Sequence, residues 1–462
     1  MPPFHIVFQL LTFIVPTFAA LWAPKESESQ IPFHSQPSDN KYEGALWRFK
    51  AENQDIFEWT LQVAQDYSLD VWGASEHFVD IYTAGDSVIP KALLSVPHTT
   101  SNLSTTVQIP PRDSYTSAID RWNLTSLENT TYHAAYHPSW EIDEFMHTLA
   151  ELYPDEVTIL RLGHTAMGRE IYGMQISHST KSSSSKAKPG FLITGAQHAR
   201  EWVAISTALY ISHALVSNSS ESQSMRELLD DFDFYVVPSP NPDGYDHTWE
   251  TDRFWYKNRQ VVDPVSPCVG IDTNRNWGYK WKPHSALGNL GKGKKKKKPV
   301  PDDPCSTWYP GHRAFEAPEV NNLANFVSTL NGAGGPHAKI KAFVDLRSYG
   351  QMLSTPYSFS CKRLPKDAED QLEAALGSVQ ALRVKHGTVF KTGNLCSTLY
   401  RAPGNIVDWM YARAGIKYSY AAFLRDTGTY GFSLPAEWIR PVGEETGKMI
   451  EYLAKFIAKQ QK

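Results

Sequence analysis

Residues 190–204 read GFLITGAQHAREWVA. GFLIT (190–194) is a short apolar run with the length of a buried strand, and EWVAISTALYISHALV (201–216) has the spacing of a helix. At the junction stand His198 and Glu201, three positions apart. In α/β sheets ligand sites collect beyond the carboxyl ends of strands, where this pair would lie. A His and a Glu one helical turn apart are also common on solvated helix faces. The surrounding chain therefore has to decide what the pair does.

Working outward, DFYVVP (233–238), KAFVDL (341–346) and KYSYAAFL (417–424) are further strand candidates, and PSWEIDEFMHTLAELYP (138–154) is helical. Alternation of this kind predicts one large α/β domain with a sheet covered on both faces. Residues 40–110 form a separate pattern: ALWRFKA as a strand, DIFEWTLQVAQDYS as a helix, and STTVQIPP as a closing strand, together a small α+β module. The polar stretch 112–131 lacks sustained periodicity and suits an exposed linker.

With 462 residues the chain is long enough for two or three folded units, and its formal charge of -4 gives no reason to expect nucleic acid. The first twenty residues, MPPFHIVFQLLTFIVPTFAA, have signal-peptide length and are too short to span a bilayer comfortably. No membrane span is expected elsewhere, and a monomer is expected. Export also fits the sequons at Asn102, Asn123, Asn129 and Asn218. Cys268, Cys305, Cys361 and Cys396 form an even set without CxxC spacing, which favours structural disulfides over a thiolate metal site. The Lys294 to Lys298 run reads as a solvated loop with the charge to attract an anionic partner.

The order of motifs supplies the context: GAQHAREW, NPDGY, CVGIDTNRNW, LRSYGQML, STLYRAPGNIVDW and FLRDTGTYGF. Over roughly residues 130–460 this series resembles the zinc metallocarboxypeptidases of the carboxypeptidase A type, peptidase family M14. The resemblance implies a mixed, mostly parallel eight-stranded sheet with helices on both faces. It also implies that residues 21–111 are an activation-propeptide-like domain after a signal peptide (1–20), joined by the 112–131 linker to a metallocarboxypeptidase-like domain (132–462). The family pattern pairs Cys268 with Cys305, leaving Cys361 for Cys396.

The resemblance further implies zinc, held by His198 and Glu201 with a second histidine from an HSY motif. Here that position is Arg347, in LRSYG. A guanidinium has no lone pair to donate and stays protonated, so it cannot ligate a metal. It also repels one: two unit positive charges about 4 Å apart at an effective dielectric of about 20 cost roughly 4 kcal/mol. Zinc binding is thus placed in doubt. The family's general-base glutamate is replaced by Phe423, which carries no proton, and its oxyanion arginine by Tyr256 in WYKNR, with Arg259 nearby.

What the resemblance retains is the binding half of the site. Asn274 and Arg275 match the groups that grip a peptide's terminal carboxylate, Tyr400 the tyrosine that closes over it, Arg200 and Tyr349 subsite residues, and Val407 an apolar pocket floor. The three departures resemble the inactive, secreted fungal members of the family linked to cell-wall organisation. A secreted or vacuolar pseudoenzyme is the expectation, with peptide C-termini or cell-wall components as partners. The alternatives are a peptide-binding module, or an active enzyme releasing apolar C-terminal residues with His312 as replacement ligand. On the first expectation Arg347 pairs with Glu201, supplying the positive charge a buried carboxylate needs.

Overall fold

The apolar positions of the first module organise a four-stranded antiparallel sheet: β1 (Asn40–Lys50), β2 (Asp70–Ser75), β3 (Phe78–Ala84) and β4 (His98–Val107), in the order β2-β3-β1-β4. The helix Gln54–Asp66 lies on one face, burying Phe57, Leu61 and Ala64 against Phe49, Val79 and Ile81. Asn53 caps it by accepting from the Ile56 N–H, satisfying a donor that would otherwise be orphaned. The structure is a computed structural model that describes residues 40–85, 87–110, 117–178, 188–219, 222–265, 267–282, 303–332 and 339–460. The expected signal segment, the first residues of the 112–131 stretch and the Lys294–Lys298 run lie outside the described residues.

The second sheet has eight strands: β5 (Val157–His164), β6 (Glu170–Ile176), β7 (Gly190–Thr194), β8 (Asp233–Val237), β9 (Ile340–Arg347), β10 (Met352–Thr355), β11 (Lys391–Asn394) and β12 (Tyr418–Phe423). Their order is β11-β10-β12-β9-β7-β8-β6-β5. The central pairs β12–β9, β9–β7 and β7–β8 are parallel, as is β10–β11, and the other three pairs are antiparallel, so the sheet is mixed and mostly parallel.

Side chains alternate between the two faces with the period of two that a strand imposes. Phe191, Ile193, Val344, Leu346, Tyr420 and Ala422 join one core with the helices Trp202–Val216, Ala368–His386 and Ile439–Gln460. Leu192, Phe343 and Ala421 join the other with the helices Pro318–Asn331 and Ile406–Ala412. Every residue of Trp202–Val216 is buried, as expected of a helix apolar on all sides.

The segment read as an exposed linker differs from that expectation. Ala118–Trp122 is a helix, and Trp122, Leu124 and Leu127 are buried in the first core. Their irregular spacing carries no helical or strand period, so burial there is invisible to a pattern search. Cys268–Cys305 and Cys361–Cys396 are disulfides. Asn102, Asn123, Asn129 and Asn218 are all exposed. No described helix is long and apolar enough to cross a membrane.

Both sheets belong to one compact unit, Asp39–Lys462. The β2–β3 side of the small sheet meets the carboxyl ends of the large sheet's strands through Trp72, which packs on Phe254 and Phe432 at ring separations of 4.8 and 4.9 Å, and Tyr82, which packs on Phe254 at 4.8 Å. That contact roofs the site described next.

Candidate functional site

The turn after β7 sets the first two side chains. A Cβ on Gly195 would lie 1.9 Å from the Pro238 carbonyl oxygen, so only glycine lets the chain leave the strand at this close approach. The turn then carries His198 inward, and Glu201 sits at the residue before the helix Trp202–Val216. Arg347 is the last residue of β9 and is paired in register with Phe423, the last of β12. Residues from three distant stretches of sequence thus meet at the carboxyl ends of three adjacent parallel strands, where such sheets gather ligands.

Arg347 fills the centre of this arrangement. Its Nε donates to Glu201 Oε2 at 2.8 Å and its Nη2 to Glu201 Oε1 at 3.0 Å, and Nη2 also meets His198 Nδ1. A third branch, Nη1, lies 3.4 Å from Asp345 Oδ2. His198 Nε2 is 2.9 Å from Asp272 Oδ1. His198 Nδ1 also lies 3.1 Å from Glu201 Oε1; with the ring proton on Nε2 and donated to Asp272, the Nδ1 lone pair faces Arg347 Nη2, which bridges it to that carboxylate oxygen.

His198, Glu201 and Arg347 are 1%, 2% and 4% exposed, so water screens none of this. Burial alone would raise the Glu201 carboxyl; the Arg347 guanidinium outweighs it and holds the group below its ordinary value. Asp272 behaves in the same way, with burial opposed by Arg275 and His198. Asp345 is pushed up to about 6 by burial, which Arg347 only partly offsets. Thr194 and the Gln197 amide each donate to it at 2.8 Å.

Aromatic rings close the remaining sides. Tyr256 stacks on the His198 imidazole with centroids 3.6 Å apart, and the Arg347 guanidinium lies 5.7 Å from the centroid of Phe423. Arg259 rests on Trp255 and does not line the cavity with the others.

These residues do not fit zinc. A site for it needs three or four lone-pair donors converging on one point. Here His198 Nδ1 and both oxygens of Glu201 are engaged by a cation that offers no lone pair, and no group of three or more His, Cys, Asp or Glu side chains among the described residues is arranged to hold a metal ion. His312, the alternative ligand, sits elsewhere: it meets Tyr309 and Glu316 and does not line the cavity.

Asn274, Arg275, Tyr400 and Asn405 line the inner part of the same cavity, with Leu395, Leu399 and Ala402 as apolar wall. Arg275 donates to the Tyr400 hydroxyl at 2.9 Å. Val407 is buried in the second core and is not among the lining residues. Arg200 and Tyr349 are engaged by the small sheet: Arg200 Nη1 binds both oxygens of Asp70 at 3.0 and 2.8 Å, and the Tyr349 hydroxyl donates to Asp80 at 2.7 Å. Val71, Trp72, Gly73 and Ala74 of β2 form the roof, leaving open space of about 80 Å³. Ligand pockets usually offer roughly 300–1,000 Å³.

Asp70, Asp80, Asp272 and Asp345 escaped the sequence reading. Asp272 lies inside the quoted motif CVGIDTNRNW and Asp345 inside the strand candidate KAFVDL, two positions from Asn274 and from Arg347 respectively, and that proximity was the available signal. Asp70 and Asp80 had none.

Comparison with known proteins agrees with this geometry. The zinc carboxypeptidase family, peptidase M14, matches residues 142–449. Two fungal proteins, each named inactive metallocarboxypeptidase ECM14, are 31% identical (Paracoccidioides brasiliensis, 93% of this chain and 76% of that protein) and 32% identical (Ajellomyces dermatitidis, 93% and 75%). Among solved structures, thrombin activatable fibrinolysis inhibitor superposes with a TM-score of 0.73 at 27% identity, covering 90% of this chain and 99% of its own. The bovine form, solved with tick carboxypeptidase inhibitor, reaches 0.60 at 32% identity, over 71% of this chain and 100% of its own. With the strand-end site, the motif series and these matches in agreement, the chain belongs to the zinc carboxypeptidase family, peptidase M14.

Proposed function

We propose that this chain is a secreted, non-catalytic member of the family, a pseudoenzyme whose hydrolytic centre has been dismantled. One observation carries the reading. Among the residues lining the cavity the only carboxylate is Glu201 and the only imidazole is His198, and Arg347 engages both. Peptide hydrolysis in this family's manner needs an activated water and a group to take its proton. Phe423 supplies no proton acceptor, and Tyr256 offers one neutral hydroxyl in place of a charged oxyanion donor. The names of the fungal relatives, inactive metallocarboxypeptidases, support the same conclusion.

Residues 21–111 act in this reading as a retained propeptide-like domain, supported by the Asp70–Arg200 and Asp80–Tyr349 contacts. Secretion is supported by the N-terminal apolar segment and the four exposed sequons. A role in cell-wall organisation rests on the resemblance to fungal members.

The test restores the lost groups. In chain freed of its N-terminal sheet, Phe423→Glu, Arg347→His and Tyr256→Arg together should release the last residue of a peptide with an aromatic end in the presence of zinc, while the wild type treated in the same way does not. Release by the wild type at a comparable rate overturns the reading.

A second reading, capture of peptide C-termini, is favoured by Arg275, Asn274 and Tyr400 sharing one cavity. Calorimetry with apolar-ended peptides, before and after cleavage of the 112–131 segment, tests it. Heat that appears only after cleavage and vanishes in Arg275→Ala supports capture; no heat in either state ends it.

A further inference from the structure

We propose that the guanidinium of Arg347 is a built-in replacement for the metal ion, and that Tyr256 and Phe423 complete it by shielding the resulting ion pair, so that the three departures form one co-adapted unit. The inference rests on the non-catalytic reading and deepens it, because it says what took the place of the lost centre.

The acceptors that Arg347 meets are the ones a metal would use: the His198 Nδ1 lone pair and the Glu201 carboxylate. A planar fork with donors on three nitrogens can satisfy both and still point a branch at Asp345, which a lysine's single ammonium cannot do. The carboxylate behind the imidazole is kept as well: Asp272 fixes the His198 tautomer as second-sphere carboxylates do around metal-bound histidines. Removing the cation would leave Glu201 and Asp272 on either side of His198, with Arg275, 3.9 Å from Asp272, facing the second of them and not the first.

The aromatic pair makes the exchange workable. Tyr256 covers the imidazole face, and Phe423, locked beside Arg347 by strand register, contributes a ring rather than a second carboxylate that would compete with Glu201 for the guanidinium. Single reversions therefore work against the unit. Phe423→Glu alone adds a half-buried negative charge beside a cation already paired, and Arg347→His alone leaves Glu201 without its cation until a metal enters.

The test uses the full-length secreted chain. Elemental analysis after dialysis against zinc should find well under one zinc per chain, and neither zinc nor a chelator should move the melting temperature. Arg347→Met should melt lower by roughly 5 °C or more, and Arg347→His should melt low in chelator and recover several degrees when zinc is added. Where Arg347→Met fails to fold, Arg347→Met combined with Glu201→Gln should fold, because the orphaned charge is gone; where both single variants fold, the pair should lose less than the sum of the two losses. Stoichiometric zinc in the wild type, or additive losses in the cycle, overturns the proposal. Zinc bound without hydrolysis sinks this inference and leaves the non-catalytic reading standing, whereas hydrolysis sinks that reading and the inference with it.

Discussion

Arg347 and Glu201 form a bidentate pair, Nε to Oε2 at 2.8 Å and Nη2 to Oε1 at 3.0 Å, with both side chains almost wholly out of water. Breaking such a pair by removing one member costs about 3–5 kcal/mol, mostly the penalty of the charge left behind. Arg347→Ala should lower stability in urea by that amount. Arg347→Lys keeps the charge but loses at least one charge-assisted hydrogen bond, worth about 1.5–3 kcal/mol, and should fall between the two. A lysine variant as stable as the wild type would show that the fork geometry is unimportant.

The small sheet is held by two aspartates, and each contact is buried on the large domain's side. Asp80 accepts from both Arg48, at 2.7 and 2.6 Å, and Tyr349, at 2.7 Å, and is itself fully buried. Asp70 holds Arg200. Asp80→Ala orphans an arginine and a tyrosine together, so it should loosen docking more than Asp70→Ala, whose partner Arg200 keeps bonds to the Phe254 and Val71 carbonyls. Limited proteolysis reads this out: residues 40–107 should be cut faster in Asp80→Ala, with the remainder of the chain resistant. Equal rates in both variants and wild type would contradict the assignment of these contacts as the docking points.

Acid should weaken the fold through a histidine pair far from the cavity. His213 is fully buried, and burial lowers it from 6.5 to about 4, with Arg440 adding to the effect and a bond to the Leu124 carbonyl opposing it. His133, 3.2 Å away, is lowered as well, first by burial and then by His213. The folded-state value lies below the unfolded one, so between them the unfolded chain binds more protons and stability rises with pH. The His213 contribution is complete above pH 6.5 and is lost as pH falls toward 4, about 3 kcal/mol in all. Asp408, raised to about 7 by burial, acts in the opposite sense and would mask this in a single curve. It cancels in the difference between wild type and His213→Gln. That difference should shift against the wild type by about 3 kcal/mol between neutral pH and pH 4; a flat difference would contradict the assignment.

The parts of this fold that could be read from sequence are those whose surroundings are uniform. Strands β7, β8, β9 and β12 are buried on both faces and appear as short apolar runs, and the helix Trp202–Val216 is apolar throughout for the same reason. Strands β2 and β3 were missed because β2 opens on the charged Asp70, Asp80 breaks the apolar run of β3, and the connection through Glu76 and His77 carries no glycine or asparagine turn signal. Those same aspartates are the docking residues, so the feature that hid the strands is the feature that matters.

Within the site, His198, Glu201, Arg347 and Phe423 were legible because motif order places them at or just past successive strand ends, and Tyr256 because the family resemblance picks out the WYKNR segment. The pairing of Arg347 with Glu201 followed from charge alone. Its second contact, to His198 Nδ1, depends on side-chain reach and on Asp272 fixing the ring, which no spacing encodes. Nor does spacing say that Val407 faces the core while Leu395 and Leu399 face the cavity.

The central claim is that no water is activated in this cleft, and wild-type chain freed of its N-terminal sheet and supplied with zinc tests it most directly. Mass spectrometry of a peptide ending in phenylalanine should find the substrate intact after prolonged incubation. Loss of that terminal residue, abolished by a chelator, would contradict the account.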